Sequence, residues 1–513
     1  MNRISDADAV NKKFAAWLIV IAVVVGSFLR GQDLLQPYED GARGANAAFF
    51  ALMAKNHLRY GLWTTGGVGI INPDRVGPRY FAYYLDHPPG AIWLATAGAR
   101  LGGTNPAGLR LAFLPLSIGI VLLIYRLAKR RGKLLAATAG ALSATMPIGI
   151  YYGAFVHFEV PTLFLILLTT HQFLRYRRHG KRKHLWRSLV VFAAAVGFDW
   201  IALALPVCLL AFEPLRRRSA SERQSLNPWL HEAALLCAGL LVLALVQVAH
   251  HLQLGRYGVD SSMTGPYVAG WAALKEGFQP DLFCSSLFDL SAGSFGWVAV
   301  LAVLGLPVAI LAGVRRRLDE VELAALAFLA LGLINYAIMY THARAYDFQH
   351  LLYLLPAVCL FAALALFWPI RFGPRPVMEK LVSGLVILIL AGQTARSVEL
   401  LSSRRSFELS DLGRRLARCS EPGTVILVGN ERNAMDIQVA VSADRHVEFV
   451  HDVNGLTAAR RKAHYLGMVD AREYLYLDAG DRSVISSELA RLLERLEPSA
   501  ERGGFSIYTL PPP

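Results

Sequence analysis

The chain has 513 residues, of which 54% are hydrophobic and only 18% are charged. A soluble protein of this length would carry more charge, so the composition indicates a multi-pass membrane protein. The formal net charge of +14 does not indicate a nucleic-acid partner, because the basic residues fall in short clusters between apolar runs. Such clusters are typical of the cytoplasmic loops of membrane proteins.

Apolar runs and basic clusters together predict the topology. The first run, 14–29, follows Lys12-Lys13 and is expected to lead out of the cytoplasm, since lysines stay on the inner side. An outer loop, 30–108, follows, and its apolar run at 91–101 is too short to cross about 30 Å of hydrocarbon at ~1.5 Å per residue. With that run kept outside the membrane core, all later basic clusters fall on the inner side. The membrane helices, about eleven in number, are expected near 14–29, 109–127, 134–151, 160–175, 188–199, 201–214, 231–250, 293–313, 322–340, 351–368 and 381–397.

Two helices are predicted within the outer loop. Residues 41–60 place apolar side chains at helical spacing and basic ones elsewhere on the helical wheel. This pattern predicts an amphipathic helix that lies on the membrane surface. Residues 88–101 predict a juxtamembrane or re-entrant helix that begins at Pro88-Pro89.

From about residue 398 the composition becomes that of a soluble domain. Short apolar runs predict strands, and amphipathic runs between them predict helices. The strands are expected at 425–429, 447–450 and 474–477, and the helices at 409–419 and 486–496.

The predicted fold class is therefore an all-α polytopic membrane protein with a small α/β domain after it. The membrane domain comprises residues 1–397 and the α/β domain residues 398–513. The N-terminus is expected in the cytoplasm and the C-terminal domain on the outer, periplasmic face of a bacterial inner membrane.

Four acidic residues lie at the outer ends of different predicted spans: Glu39, Asp40, Glu159 and Asp199. Ionisable groups at a bilayer boundary are costly to keep there, and their agreement on one face predicts a shared cavity. The alternative is that each is an ordinary solvated loop residue. Glu39-Asp40 is the strongest candidate, because two adjacent carboxylates at the start of a helix suit a general base.

Basic residues and histidines are expected on the same face. Arg59, His87, Arg344 and His350 are groups that can neutralise an anionic phosphate leaving group. Alternatively, each is an interfacial anchor or a loop hydrogen-bonder. No glycine-rich segment has the strand-loop-helix context of a nucleotide fingerprint, so an activated donor would have to come from the lipid.

Six stretches, in roughly the first two-fifths of the chain, carry a resemblance to a known family. They are Glu39-Asp-Gly-Ala-Arg-Gly44, Ala54-Lys-Asn-His-Leu-Arg-Tyr-Gly-Leu62, Tyr84-Leu-Asp-His-Pro-Pro-Gly90, Leu109-Arg-Leu-Ala112, Tyr151-Tyr-Gly153 with Phe158-Glu-Val-Pro161, and Phe198-Asp-Trp200. In their order and spacing the chain resembles the membrane-embedded GT-C glycosyltransferases. It is most similar to the family 39 type, which includes dolichyl-phosphate-mannose protein mannosyltransferases and aminoarabinose transferases.

The resemblance implies an enzyme that moves a sugar, with inversion, from a polyprenyl-phosphate donor to an envelope acceptor on the outer face. The acceptor class (lipid, glycan or protein) stays open. An acid in the first outer loop would be the base, which is Asp40 or Glu39 here, and Glu159 would be a second acid. This chain has Glu-Asp where Asp-Glu is commoner, and Asp40 is favoured because it directly precedes Gly41 and the helix.

The remaining expectations concern ligands. Arg59, His87, Asp199, Arg344 and His350 are expected to bind the donor phosphate or the acceptor, although Asp199-Trp200 replaces the basic residue usual in that hairpin. Glu39, Asp40 and Glu159 are also compatible with Mg²⁺ or Mn²⁺, which the sequence does not require. The alternative function is a lipid-linked sugar flippase or other transporter, although such proteins usually show repeated halves with acids near mid-span.

Overall fold

The computed structural model shows a helical bundle followed by a small α/β domain. It describes residues 2–72, 77–78, 81–215, 229–257, 278–315, 318–343, 347–371, 375–419, 425–428, 435–443, 446–449, 474–478, 487–496, 498, 500–502 and 505–510. Arg344, selected above as a phosphate-binding residue, lies outside these described residues.

The bundle consists of helices and one short hairpin, with the following bounds. Its helices are α1 (Asn2–Gly31), α2 (Ala42–Tyr60), α3 (Leu62–Thr65), α4 (Gly90–Gly102), α5 (Pro106–Ala128), α6 (Lys133–Thr145), α7 (Pro147–Tyr151), α8 (Glu159–His179), α9 (Arg182–Val196), α10 (Ala204–Phe212), α11 (Trp229–Tyr257), α12 (Pro280–Phe295), α13 (Trp297–Val314), α14 (Glu320–Ala343), α15 (Leu355–Phe367) and α16 (Arg375–Ser403). Short 3-10 helices lie at Lys129–Arg131, Trp200–Leu203, Glu213–Leu215, Asp347–Leu354 and Trp368–Arg371. Strands β1 (Gly69–Ile70) and β2 (Tyr83–Tyr84) pair antiparallel.

A helix is present at each predicted membrane position, and the predicted helical membrane fold is confirmed. Among the described residues, seven helical segments are long and apolar enough to cross a bilayer. These are Lys12–Gly31, Pro106–Arg131, Ala233–His250, Trp297–Val314, Glu320–Tyr340, Gln349–Ile370 and Val377–Arg418. Of the other predicted spans, 160–175 lies in the 21-residue α8, and the remainder are shorter helices. The run at 134–151 is divided in two because Pro147, which has no backbone N–H, begins α7.

The surface helix predicted at 41–60 forms as α2, but its predicted position on the membrane surface is wrong. Arg43, Asn56 and His57 are buried together with the apolar side chains of this helix. Asn56 donates to the carbonyl oxygens of Ile70 and Asn72, both at 2.7 Å. Residues distant in sequence therefore satisfy polar groups that the amphipathic pattern predicts to face water. Helix α2 is enclosed by the rest of the protein.

The C-terminal domain contains a five-stranded mixed sheet. Its helices are α17 (Glu408–Cys419), α18 (Met435–Ala443) and α19 (Ser487–Glu494), and its strands are β3 (Val425–Val428), β4 (His446–Phe449), β5 (Tyr474–Asp478), β6 (Ala500–Arg502) and β7 (Phe505–Leu510). The strand order is β4-β3-β5-β7-β6, with β3 parallel to β4 and β5, and β7 antiparallel to β5 and β6. The structure has strands and helices where the sequence predicts them, and α18 packs against α2.

Candidate active site

Two clusters of ionisable residues lie at one end of the bundle, which we call the site end. The first, the arginine cluster, consists of Asp33, Glu39, Arg43 and Tyr151. Arg43 donates to Glu39 Oε2 at 2.8 Å and to Asp33 Oδ2 at 3.1 Å, and all three side chains are buried. Tyr151 donates its hydroxyl to Glu39 Oε1 at 2.6 Å, and its ring lies 4.4 Å from the Arg43 guanidinium carbon. Arg405 also lies 3.5 Å from Asp33 Oδ1, so two arginines and one hydroxyl compensate the two carboxylates.

The backbone approaches itself closely at this cluster. A Cβ built on Gly44 would lie 1.7 Å from the carbonyl oxygen of Glu39, which no real structure tolerates. Glycine at position 44 thus lets the loop before α2 fold back onto the helix. The same loop is held on its other side by Arg110 of α5, which donates to the carbonyl oxygens of Asp33, Gln36 and Pro37.

Asp40 lies next to Glu39 in sequence but has different partners. Its two carboxylate oxygens accept hydrogen bonds from the backbone N–H groups of Glu408, at 2.9 Å, and Leu409, at 3.0 Å. The hydroxyl of Ser406 donates to the same carboxylate. The first N–H groups of a helix lack intrahelical acceptors, so Asp40 caps α17 from a distant part of the chain.

The second cluster, the acid–histidine cluster, consists of His87, His157, Glu159, Asp199 and Tyr353. Tyr353 donates to Asp199 Oδ2 at 2.6 Å, and His87 Nδ1 lies 3.5 Å from Asp199 Oδ1. His157 Nδ1 contacts Glu159 Oε2. All five side chains are buried, so the structure brings Glu159, Asp199 and His87 of the sequence prediction into one enclosed group.

Local geometry explains how these segments meet. Gly90, at the start of α4, donates its N–H to the carbonyl oxygen of Gly197 at 2.9 Å, and a Cβ at Gly90 would lie 2.5 Å from that oxygen. Trp200 donates its indole N–H to the carbonyl oxygen of Asp86 at 3.0 Å. The loop before α4 and the turn after α9 are thereby joined, which places His87 beside Asp199.

Two carboxylate oxygens of this region have no hydrogen-bond partner among the described residues. They are Glu159 Oε1 and Asp86 Oδ1, both inaccessible to solvent. Buried polar atoms are nearly always satisfied, so each exception requires an explanation, and a catalytic role is one of them. Burial raises the pKa of the Asp86 carboxyl, and burial together with the neighbouring His87 lowers the pKa of His157 well below 6.5.

Helix α2 lies between the two clusters and contacts the second. The ring of Phe50 lies 4.8 Å from the ring of His157, and Asn46 donates to Gln349 at 3.4 Å. The next residue, His350, is buried, and its carbonyl oxygen accepts a hydrogen bond from Asn335 at 3.1 Å. His350 thus follows directly on a residue that contacts α2.

Arg59, another predicted site residue, lies beside the β1–β2 hairpin. It lies in the last turn of α2 and donates to Asn56 Oδ1 at 3.3 Å. The acids proposed as metal ligands also have separate partners: Arg43 for Glu39, α17 for Asp40 and His157 for Glu159. Within the described ranges, no group of three or more His, Cys, Asp or Glu side chains is arranged to hold a metal ion.

An apolar groove of about 770 Å³ opens near the site end between α12, α13, α15 and α16. Arg396 contributes its guanidinium to this wall and also lines a smaller, polar cavity of about 320 Å³ that reaches Arg404. Arg404 in turn lies 5.5 Å from the ring centre of Tyr151. The apolar groove thus adjoins a polar cavity that reaches toward the arginine cluster and is lined by Asp289 and Glu399 as well as by the two arginines.

Sequence reasoning did not single out several members of these clusters. Asp33 and Arg43 precede and follow the Glu39-Asp40 pair, and the i,i+4 spacing of Glu39 and Arg43 is a detectable signal for an ion pair. Tyr353 and His157 gave no such signal, because their partners are set by the packing of distant loops.

The chain is similar to a known protein family over part of its length and to solved structures over most of it. Residues 86–249 match the family model described as dolichyl-phosphate-mannose-protein mannosyltransferase. A comparison with curated protein sequences gives no match. Among solved structures, ArnT from Cupriavidus metallidurans bound to undecaprenyl phosphate has a TM-score of 0.63 at 14% identity, covering 96% of this chain and 97% of that one.

A second similar structure is the archaeal oligosaccharyltransferase AglB from Archaeoglobus fulgidus, in complex with an inhibitory peptide and a dolichol-phosphate. It has a TM-score of 0.56 at 13% identity, covering 90% of this chain and 69% of that one. These likenesses establish the fold and agree with the resemblance carried by the sequence motifs. The chain is a membrane protein with the GT-C glycosyltransferase fold, similar over residues 86–249 to the dolichyl-phosphate-mannose protein mannosyltransferases.

Proposed function

We propose that this protein is a glycosyltransferase that moves a sugar from a polyprenyl-phosphate donor to an acceptor of the cell envelope. The observation that carries the proposal is the enclosed acid–histidine cluster, with an unpartnered Glu159 oxygen, at one end of a GT-C bundle. The site end would face the periplasm of a bacterial inner membrane, with the N-terminus in the cytoplasm. This orientation follows from the basic loops at the opposite end.

The donor would bind along the apolar groove. Its polyprenyl chain matches the apolar wall of that groove, and its phosphate would lie near Arg396 and Arg404 at the rim. Guanidinium groups bind phosphate through paired N–H donors, which also stabilise the charge that develops on the leaving group. The sugar would then project toward the two clusters.

The reaction would be a direct displacement at the anomeric carbon. An acceptor hydroxyl oxygen forms the new bond to that carbon while the bond to the phosphate oxygen breaks, so the configuration inverts. The hydroxyl proton passes to a carboxylate, and the polyprenyl phosphate leaves as an anion. Such a base contributes on the order of 10²–10⁴-fold to the rate.

Two carboxylates are candidates for that base. Asp40, with Glu39 beside it, is the candidate from the sequence, and both of its oxygens accept hydrogen bonds from α17 in this structure. It can take a proton only in a conformation where those bonds open. Glu159 has one oxygen without a partner in the described residues, so we infer that it is the better placed of the two.

A reconstituted assay tests the proposal. The full-length protein in vesicles would receive a polyprenyl-phosphate sugar and a panel of lipid, glycan and peptide acceptors. We expect transfer by the wild type, a loss of about 10²–10⁴-fold in Glu159→Gln, and little change in the control Asp411→Asn. An equally large loss in Asp40→Asn alone would assign the base to Asp40.

The same assay separates the proposal from its alternative. A flippase would expose the donor on the other leaflet without forming a glycosylated product. Full transfer in both Glu159→Gln and Asp40→Asn would remove both assignments of the base. Donor translocation without transfer to any acceptor would overturn the proposed enzyme activity.

A further inference from the structure

A second polar cavity lies at the opposite end of the bundle from both clusters. This basic pocket, of about 350 Å³, is formed by the C-terminal turns of α5 and α8 together with the start of α14. Five of its side chains are cationic and one is a carboxylate: Arg126, Lys129, Arg130, Arg175, Arg178 and Glu320. The mechanism proposed above uses none of them.

The single carboxylate is already shared by two arginines. Glu320 accepts from Arg130 Nη1 at 2.7 Å and also pairs with Arg178. Lys129 lies 5.9 Å from the ring centre of Tyr125. Arg126 and Arg175 have no hydrogen-bond or ion-pair partner within the part of the chain that the structure describes. The pocket therefore holds guanidinium groups without compensating anions.

The position of the pocket along the bundle indicates how deep it lies in the membrane. Arg175 follows Glu159 by 16 positions along α8, which corresponds to about 24 Å at ~1.5 Å per residue. Near the same end, Trp186 on α9 and Leu122, one turn before Arg126, expose their apolar side chains. Exposed tryptophans of membrane proteins lie at the level of the lipid headgroups. Arg126 and Arg175 are therefore at headgroup depth.

We propose that the basic pocket binds a phosphate-bearing anion, with Arg126 and Arg175 as its principal ligands. Arginine suits this role because its planar fork donates two parallel hydrogen bonds to phosphate oxygens. Basic pockets between membrane helices bind anionic lipid headgroups, and the same chemistry would accept a free phosphate group. The pocket is separate from the site end, so the inference stands independently of the proposed transferase activity.

The test measures lipid selectivity of the purified full chain. Protein in mixed micelles of phosphatidylglycerol and phosphatidylcholine would be analysed by native mass spectrometry for bound phospholipid. We expect preferential retention of phosphatidylglycerol by the wild type and a drop of about tenfold in that preference in Arg126→Gln/Arg175→Gln. A parallel arm measures the thermal shift caused by inorganic phosphate in detergent without phospholipid, which identifies a soluble source of the same chemistry.

Two matched variants keep the test decisive. Lys181→Gln/Lys183→Gln removes the same charge from the exposed start of the neighbouring helix α9 and should leave the preference within about twofold of the wild type. Arg126→Lys/Arg175→Lys keeps the charge and should retain part of the preference if the first variant folds poorly. Equal losses in the pocket and loop variants, or no response to either probe in the wild type, would overturn the proposal.

Discussion

Asp40 and Leu409 are 369 positions apart in the chain, yet an oxygen of the Asp40 carboxylate accepts the backbone N–H of Leu409 at 3.0 Å. The backbone N–H of Glu408 donates to the other oxygen at 2.9 Å. A carboxylate at this position satisfies two N–H groups at the start of α17 and interacts favourably with the helix dipole. The residue that sequence patterns select as the base therefore also attaches the C-terminal domain to the bundle.

This attachment predicts a stability effect at Asp40. Asp40→Ala leaves the first N–H groups of α17 without their acceptor, which costs about 0.5–2 kcal/mol for a helix cap. Asp40→Asn keeps one accepting oxygen and should cost less. Thermal unfolding of the purified protein, followed together with protease resistance of the C-terminal domain, would measure both effects.

The control for this prediction lies on the same helix. Asp411 is exposed and pairs with Arg414, so Asp411→Ala should cost no more than about 0.5 kcal/mol. A domain that resists protease equally well in Asp40→Ala and in the wild type would show that the cap does not hold α17 in place.

The arginine cluster predicts a larger effect. Arg43→Met would leave the buried carboxylate of Glu39 without a cation and that of Asp33 with only the more distant, partly exposed Arg405. Breaking such a buried pair costs about 3–5 kcal/mol. The exposed Arg100→Met serves as the control and should change stability by less than about 0.5 kcal/mol. Chemical unfolding in detergent would compare the two.

A combined variant tests the physical reason for that loss. Adding Asp33→Asn and Glu39→Gln to Arg43→Met removes the uncompensated charges, so part of the lost stability should return. Asp33→Asn and Glu39→Gln would each also be measured alone in the wild type. If adding them to Arg43→Met lowers the stability by the sum of those two losses, the cost of Arg43→Met does not arise from buried charge.

Helix positions could be predicted from the sequence because they depend on local hydrophobic runs. The run at 109–127 becomes α5, and its start is fixed by local signals, Asn105 as N-cap and Pro106 as first residue. The prediction that α2 lies on the membrane surface was wrong because its environment depends on contacts that are not local. Arg43 and Asn56 are charged or polar in sequence, but their partners come from other segments and allow them to be buried.

In the candidate site, too, local sequence predicts some features and long-range packing determines the others. Glu159 and Asp199 could be identified because an acid beside an apolar span is unusual wherever it occurs. The hydrogen bond from Tyr353 to Asp199 joins positions 154 residues apart, and no local sequence pattern predicts it. Residue types at span ends were therefore predictable, whereas their pairing depends on the packing of the whole bundle.

The acid–histidine cluster predicts a pH dependence of stability. Burial, with His87 as a further cause, lowers the pKa of His157 well below 6.5. The unfolded chain therefore binds a proton at this residue before the folded protein does, and stability is lost as the pH falls through about 6.5. We expect a lower melting temperature near pH 5 than near pH 7.5, with a smaller difference in His157→Gln.

Two further variants check this assignment. The pKa of His179 at the other end of α8 is also lowered, but solvent screens this exposed group, so His179→Gln should change the pH dependence less than His157→Gln does. Asp86 and Glu159 act in the opposite direction: burial raises the pKa of both, so their contributions are lost as the pH rises above 3.8 and 4.5. An unchanged pH profile in His157→Gln would assign the dependence to another group.

Adjacent residues on α13 allow a matched test of the apolar groove. Val303 lines the 770 Å³ groove at the site end, whereas Leu304 lines a separate apolar cavity of about 560 Å³, and their exposures are similar at 68% and 61%. If the groove holds the polyprenyl chain, Val303→Trp should raise the donor KM about tenfold, or ~1.4 kcal/mol, with kcat nearly unchanged. Leu304→Trp should leave both constants near wild type. Equal effects of both tryptophans on the donor KM would place the polyprenyl chain elsewhere.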